Sequence, residues 1–308
     1  LCLIIKQIHK MDVPLVIGTI ISNKKDFYPF LSYHSNQDSM MIHQFNKKWK
    51  DYERTKKFTI LEELLSLSPE HAGANFLYGK NTLELDNIER DRYLQKAYEH
   101  DGLRFRAPDQ INIKIRNAED KNNNIYICEI EKKLCELTNS NLLGNEFITE
   151  HLHPNVYGNW KIAELLAFFT VRDVLKKTED FIPVDWNEAP YSVFDLMCAQ
   201  KKIFFLTSRP PYHQQIKIYH EVLKNRDFDF LNYLSGEYLE SKISWTQAHF
   251  LYADYLLKKK QVENSQKEIR ILNDYYGGSS ELLSAYGDSL YQEKLFALSA
   301  KYYQEALN

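Results

Sequence analysis

Neither sign of charge is in excess in this 308-residue sequence. It carries 39 Lys and Arg against 42 Asp and Glu, a net charge of −3. That balance excludes a basic nucleic-acid groove and an electrostatic anchor for an anionic membrane. No apolar run approaches the ~18 residues of a membrane-spanning helix, so no membrane span is expected. Cysteine is scarce, and Cys2, Cys128, Cys135 and Cys198 form no CxxC pair. Neither a zinc ribbon nor a dithiol redox site is therefore indicated; thiols scattered in this way are expected to be buried and reduced. An initiator Met is also missing. The opening "LCLIIKQIHKM" reads as the last turns of an amphipathic helix, with Leu1, Ile4, Ile5 and Ile8 on one face. From this a fragment of a longer protein is expected. No basic start precedes the apolar stretch and no small-residue cleavage site follows it, so it does not read as a signal peptide.

What is present is a hydrophobic content of 44%, ample for a core. "LVIGTI" (15–20) has the β-branched character of a strand buried on both faces, and "NIYICEI" (124–130) reads as a second. The loop "SNKKDFYPF" (22–30) leaves the first strand, as ligand-carrying loops do in α/β sheets. Between the strands, residues from about 35 to 105 have helical periodicity, with a helix-turn-helix expected over 68–101. Another helix is expected over 111–123 and a long one over 156–177. An acidic, Pro-containing linker (178–192) separates residues 1–177 from an all-helical part, 193–308. That part repeats, most clearly over 246–308. Tyr252-Ala253 matches Tyr286-Gly287, Ser265 matches Ser299, and Ile269 matches Tyr303, each 34 residues on. This period, with small residues where helices cross, resembles tetratricopeptide repeats.

The block "NEFITEHLHPNVYGNW" (145–160) gathers the chemistry. Three readings are open from spacing alone. Glu150 can fold back on His153 and fix its tautomer, giving a general base. The residues can instead be the polar lead-in to a helix. Or Glu150, His151 and His153 can be metal ligands. The other histidines (His9, His34, His43, His71, His100, His213, His220, His249) show no ligand spacing, which counts against metal.

"VPLVIGTIISNKKDFYPF" together with "GNEFITEHLHPNVYGNWKIAELL" resembles the C-terminal part of SGNH (GDSL-type) hydrolases, in particular the branch that carries tetratricopeptide repeats. The likeness covers residues 1–175, with specific motifs in under a quarter of them. "YEHDGLRFRAPDQIN" (98–112) is similar to the stretch that returns inserted helices to the hydrolase sheet. The resemblance implies an α/β, flavodoxin-like three-layer domain, incomplete and represented by its C-terminal part, followed by all-α repeats. It implies an Asp-x-x-His block before the final helix; here Glu150 stands for the Asp and His153 is the base. It places the nucleophilic Ser and the oxyanion Gly and Asn before the first strand, upstream of Leu1. An acyl-ester substrate and no cofactor are implied.

Asn23 and His151 are the candidate substrate contacts, with Asn23 equally readable as a turn cap. Asp26 reads as a turn residue, and Arg104 and Arg106 as anion ligands or ion-pair partners. "YGDSL" (286–290) spells the nucleophile motif of these hydrolases but lies in a helical repeat with no strand before it, so Ser289 is set aside. The expected function is the acid–base half of a serine ester hydrolase or acyltransferase. The alternative is a non-catalytic scaffold that binds a protein partner on its repeats.

Overall fold

The computed structural model describes residues 13–35, 38–81, 86–177, 182–183, 185–186, 189–212 and 227–307, with Ile5 and Ile8. The helix expected over Leu1–Met11 lies outside these apart from Ile5 and Ile8, and so does part of the 178–192 linker. The chain divides into two compact units, Leu1–Val184 with Pro211–Gln214, and Asp185–Pro210 with Gln215–Asn308.

In the first unit, β1 (Leu15–Gly18) pairs in parallel with β2 (Ile125–Cys128), in register Leu15 to Ile125. Thr19 N–H donates to Cys128 O at 3.0 Å and prolongs the ladder by one bond. Then the carboxamide of Asn112 takes over as a surrogate strand, accepting from Ile20 N–H and donating to Ile20 O, both at 2.8 Å. The connection between the strands is helical: α1 (Ser39–Thr55), α2 (Phe58–Leu67), α3 (Ala72–Asn81), α4 (Asn87–Glu99) and α5 (Asp109–Arg116). After β2 come α6 (Ile130–Cys135), a loop, and α7 (Val156–Phe169).

The flavodoxin-like three-layer α/β architecture is therefore not the fold. Among the described residues there is one sheet, of two four-residue strands, and the chain is mainly helical. A doubly wound layer of the flavodoxin type takes five strands. Only two runs here have strand character, and most of the long connection between them carries helical periodicity. Nor is β1 buried on both faces; all four of its residues are half-buried, whereas β2 is buried at three of four. Two helix ends also differ from expectation. The helix expected over 111–123 stops at Arg116, and the Asn-rich stretch after it turns at Asn124, in the left-handed region at φ 59°. The helix from Val156 gives way after Phe169 to a wider π-turn over Thr170–Val174.

One core holds the two strands and the loop that matters below. Ile21, Cys128, Ile130, Leu134, Leu143, Phe147 and Ile148 are buried together, with Ile162, Leu165 and Leu166 of α7 against them. Each such side chain contributes about 1.5–3 kcal/mol by burial.

The second unit contains α8 (Val193–Thr207), α9 (Phe228–Leu239), α10 (Trp245–Lys258), α11 (Val262–Tyr276), α12 (Ser280–Gln292) and α13 (Phe296–Ala306). α10 packs on α11 and α12 on α13. The two hairpins repeat one polar device 34 residues apart. Ser265 Oγ donates to Ala253 O, and Ser299 Oγ donates to Gly287 O, each at 2.8 Å. A side chain at Ala253 or Gly287 has to be small for these helices to meet. A Cβ on Gly287 would stand 2.7 Å from the Tyr303 ring.

Candidate functional site

The site lies in the first unit, in the loop between α6 and α7. An isolated bridge between Ile148 and Pro154 closes this loop, with Thr149 N–H donating to His153 O at 2.8 Å and Asn155 N–H to Phe147 O at 2.9 Å. Asn155 then caps α7: its Oδ1 accepts from Gly158 N–H at 2.8 Å, and its Nδ2 donates to Asn145 O at 3.0 Å. Gly158 is required because α7 crosses the loop backbone there; an added Cβ would fall on the Phe147 carbonyl. Pro154, Asn155 and Gly158 thus pin both ends of the segment that displays Glu150, His151 and His153.

Glu150 is 1% exposed. One oxygen, Oε1, accepts from the backbone N–H of His153 at 2.7 Å and contacts the same residue's Nδ1. The other, Oε2, accepts from His151 N–H at 2.6 Å and contacts His151 Nδ1. A carboxylate that accepts holds each facing imidazole nitrogen as N–H, so Nε2 is left as the basic nitrogen of each ring. The two rings differ in access. The side chain of His153 is 56% exposed, while that of His151 is 7% exposed.

His151 packs among Phe27, Phe30 and Tyr212, at ring-centroid separations of 5.6, 5.2 and 5.5 Å. The Tyr212 hydroxyl stands 3.5 Å from its Nδ1. Burial pushes the His151 imidazole down to about 4, and the neighbouring His153 and Arg106 push the same way. The charge on Asp101 draws it up, but burial dominates, so the contact with Glu150 is made by a neutral imidazole. His151 is thereby part of the packing that holds Glu150.

Asn23 is brought to the block, with its side chain committed. It is fully buried. Its backbone N–H donates to His151 O at 3.0 Å, its Nδ2 donates to Asn145 Oδ1 at 2.9 Å, and its Oδ1 accepts from Asp26 N–H at 2.8 Å. Asp26 is held by Lys80 at 2.6 Å and by Asn145 N–H at 2.8 Å. Arg106 forms a buried ion pair with Asp101 at 2.7 Å and donates to Asn23 O at 2.9 Å. Arg104 is exposed and lines a concavity with Tyr33, His34 and Glu70. Ser289 lies within α12 in the other unit, its hydroxyl directed to Ala285 O at 3.4 Å.

Sequence reasoning missed Asp101, which accepts from the N–H groups of Phe30 and Leu31 at 3.1 Å and so shapes the 27–31 segment. The nearby Arg106 was its only signal. It also missed Tyr212, 61 residues from the histidine that it covers. Among the described residues, no group of three or more His, Cys, Asp or Glu is arranged to hold a metal ion, and no helix is long and apolar enough to cross a membrane.

No family model matches this sequence, and neither a curated protein nor a solved structure matches it.

Proposed function

We propose that Glu150 and His153 are the acid–base pair of a hydrolase or acyltransferase that acts on ester bonds. One observation carries this reading. A buried carboxylate grips the Nδ1 edge of a half-exposed imidazole whose backbone it also holds. Nε2 of His153 then takes the proton of a nucleophilic hydroxyl as its oxygen bonds to the ester carbonyl carbon. The carbonyl π pair moves onto oxygen, and the imidazolium returns the proton to the leaving alkoxide as the C–O bond breaks. Glu150 stabilises the imidazolium and fixes the tautomer. In this reading the loop, folded back onto Glu150, takes up the extra methylene of Glu over Asp. Among the described residues no hydroxyl hydrogen-bonds to the His153 ring. In this reading the nucleophilic Ser and the oxyanion donors belong to a preceding segment, as the resemblance to SGNH hydrolases implies.

The test is hydrolysis of a short-chain aryl ester by the protein encoded with whatever precedes Leu1, beside its His153→Ala variant. A loss in kcat/KM on the order of 10³-fold or more is expected. Activity indifferent to His153 refutes the reading.

A second reading has its own observation. In the second unit an apolar groove of about 590 Å³ is lined by Ile243, Phe250, Leu251, Tyr276, Leu282 and Ala285. It suits a helical-repeat scaffold that docks a peptide, with the 145–160 loop serving only to lead into α7. Absence of esterase activity in the longer protein favours this second reading.

A further inference from the structure

The first unit holds a concavity whose lining includes neither Glu150 nor His153. It measures about 370 Å³ and opens between the 28–32 segment, α1 and His71 at the foot of α3. That volume is of small-molecule size. Its walls are aromatic. Phe45 and Trp49, one turn apart on α1, stack at 5.8 Å with 15° between their planes. His71 adds a third ring, 4.5 Å from Phe45 and 5.1 Å from Trp49. Tyr28 is also in the lining.

Its electrostatics have one sign. Glu53, exposed at the rim, accepts from Trp49 Nε1 at 3.0 Å, and that bond aims the carboxylate along the indole. No Lys or Arg lines the concavity, and among the described residues no cation ion-pairs with Glu53. His71 does not supply a positive charge. Its Nδ1 accepts from Ala74 N–H at 3.2 Å, and burial, aided by the nearby His34, pushes the imidazole down to about 4. Burial and then the charge on Glu53 push the Tyr28 hydroxyl up to about 12, so it too stays neutral.

We propose that this concavity is a binding site for a small organic ammonium ion, with its alkyl groups against Trp49, Phe45 and Tyr28 and its charge against the ring faces and Glu53. Aromatic faces carry a negative quadrupole, which attracts a cation whose weak hydration lets it leave water. A carboxylate at the rim adds long-range attraction that salt weakens. An anion would meet the same field as repulsion, and a neutral apolar ligand would gain the walls but not the charge.

The experiment compares two probes on the wild-type chain by calorimetric titration: choline, and its neutral isostere 3,3-dimethyl-1-butanol. Choline is expected to bind on the order of 10-fold more tightly than the isostere. Glu53→Gln, a change at an exposed position, is expected to weaken choline several-fold and to flatten its salt dependence, with the isostere unaffected. Trp49→Leu is expected to abolish the preference, with circular dichroism confirming the fold. Equal binding of the two probes overturns the proposal, as does no binding of choline. Choline binding that ignores both substitutions places the ligand elsewhere and also overturns it.

Discussion

His249 in the second unit should titrate far above an ordinary histidine, and its loss should remove a pH dependence of stability. The side chain is fully buried. Its Nδ1 meets Glu268 Oε2 of α11 at 2.7 Å and its Nε2 meets Asp195 Oδ1 of α8 at 3.1 Å. A neutral imidazole has one N–H to donate, so serving two carboxylates requires the imidazolium. Burial lowers its pKa, but hydrogen bonds and charges from Asp195 and Glu268 more than offset this and raise it to about 9 from 6.5. Raising the pKa from 6.5 to about 9 corresponds to about 3 kcal/mol. That figure is an upper bound, because the same burial pushes the Glu268 carboxyl up against the pull of His249, so its ionised form is costly.

The sign follows from linkage. A folded-state pKa above the unfolded value means that the contribution is complete below pH 6.5 and disappears as pH rises through about 9. Asp195 works at the other end. Its carboxyl is held down by His249, against burial, so its contribution is present above the ordinary carboxylate range and lost as pH falls through the lowered value. The direct assay is an NMR titration of the His249 ring, with a midpoint expected near 9. The energetic assay is urea unfolding at pH 6.5 and pH 9.5, read from Trp245, whose indole N–H donates to Asp195 Oδ1 at 2.9 Å. The other tryptophans are replaced by Phe, since with two units a single global transition is not assured. The wild type should lose about 1–3 kcal/mol more than His249→Gln over that interval. A midpoint at or below 6.5, or equal losses in the two proteins, refutes the imidazolium.

Asp101→Asn leaves the Arg106 cation in the core without its carboxylate and should cost about 3–5 kcal/mol in urea unfolding of the first unit; Asp101→Asn with Arg106→Met should recover part of that. Gly158→Ala should lower the melting temperature, by an amount equivalent to about 1–3 kcal/mol, because the methyl meets the Phe147 carbonyl. Helix propensity alone predicts the opposite, a gain of up to about 1 kcal/mol, so a stabilised variant refutes the close approach. Glu150→Gln offers an amide N–H₂ where the carboxylate accepted. It should cost about 2–4 kcal/mol and release the His153 ring from its Nδ1–H tautomer, observable as a change in the ring ¹⁵N shifts.

The parts of this molecule that were legible in its sequence are those fixed over short distances along the chain. Glu150 and His153 are three residues apart, and Asn155 caps the helix that Gly158 enters, so a short stretch of one loop determines their meeting. The 34-residue period is likewise a local signal, because each hairpin repeats its own crossing at Ala253 and Gly287. The architecture was not legible in this way. A layered sheet is a statement about strand number, and motifs at 15–30 and 145–160 specify a loop and a helix start, which a two-stranded sheet supports as well as a five-stranded one. The His249 cluster draws one residue from each of three helices, the farthest 73 positions apart, with no periodicity to announce it.

His151 and His153 show that residue type alone does not fix where a side chain goes. In an extended segment His151 and His153 would point the same way, as a metal pair requires. The bridge between Ile148 and Pro154 makes the segment a turn instead. The two rings lie 6.2 Å apart at 85°, on opposite oxygens of one carboxylate. One is driven inward against Phe27 and Phe30, and the other is left at the surface. The tip of a closed turn has an inside and an outside, and the division of labour between two like residues follows from which side each occupies.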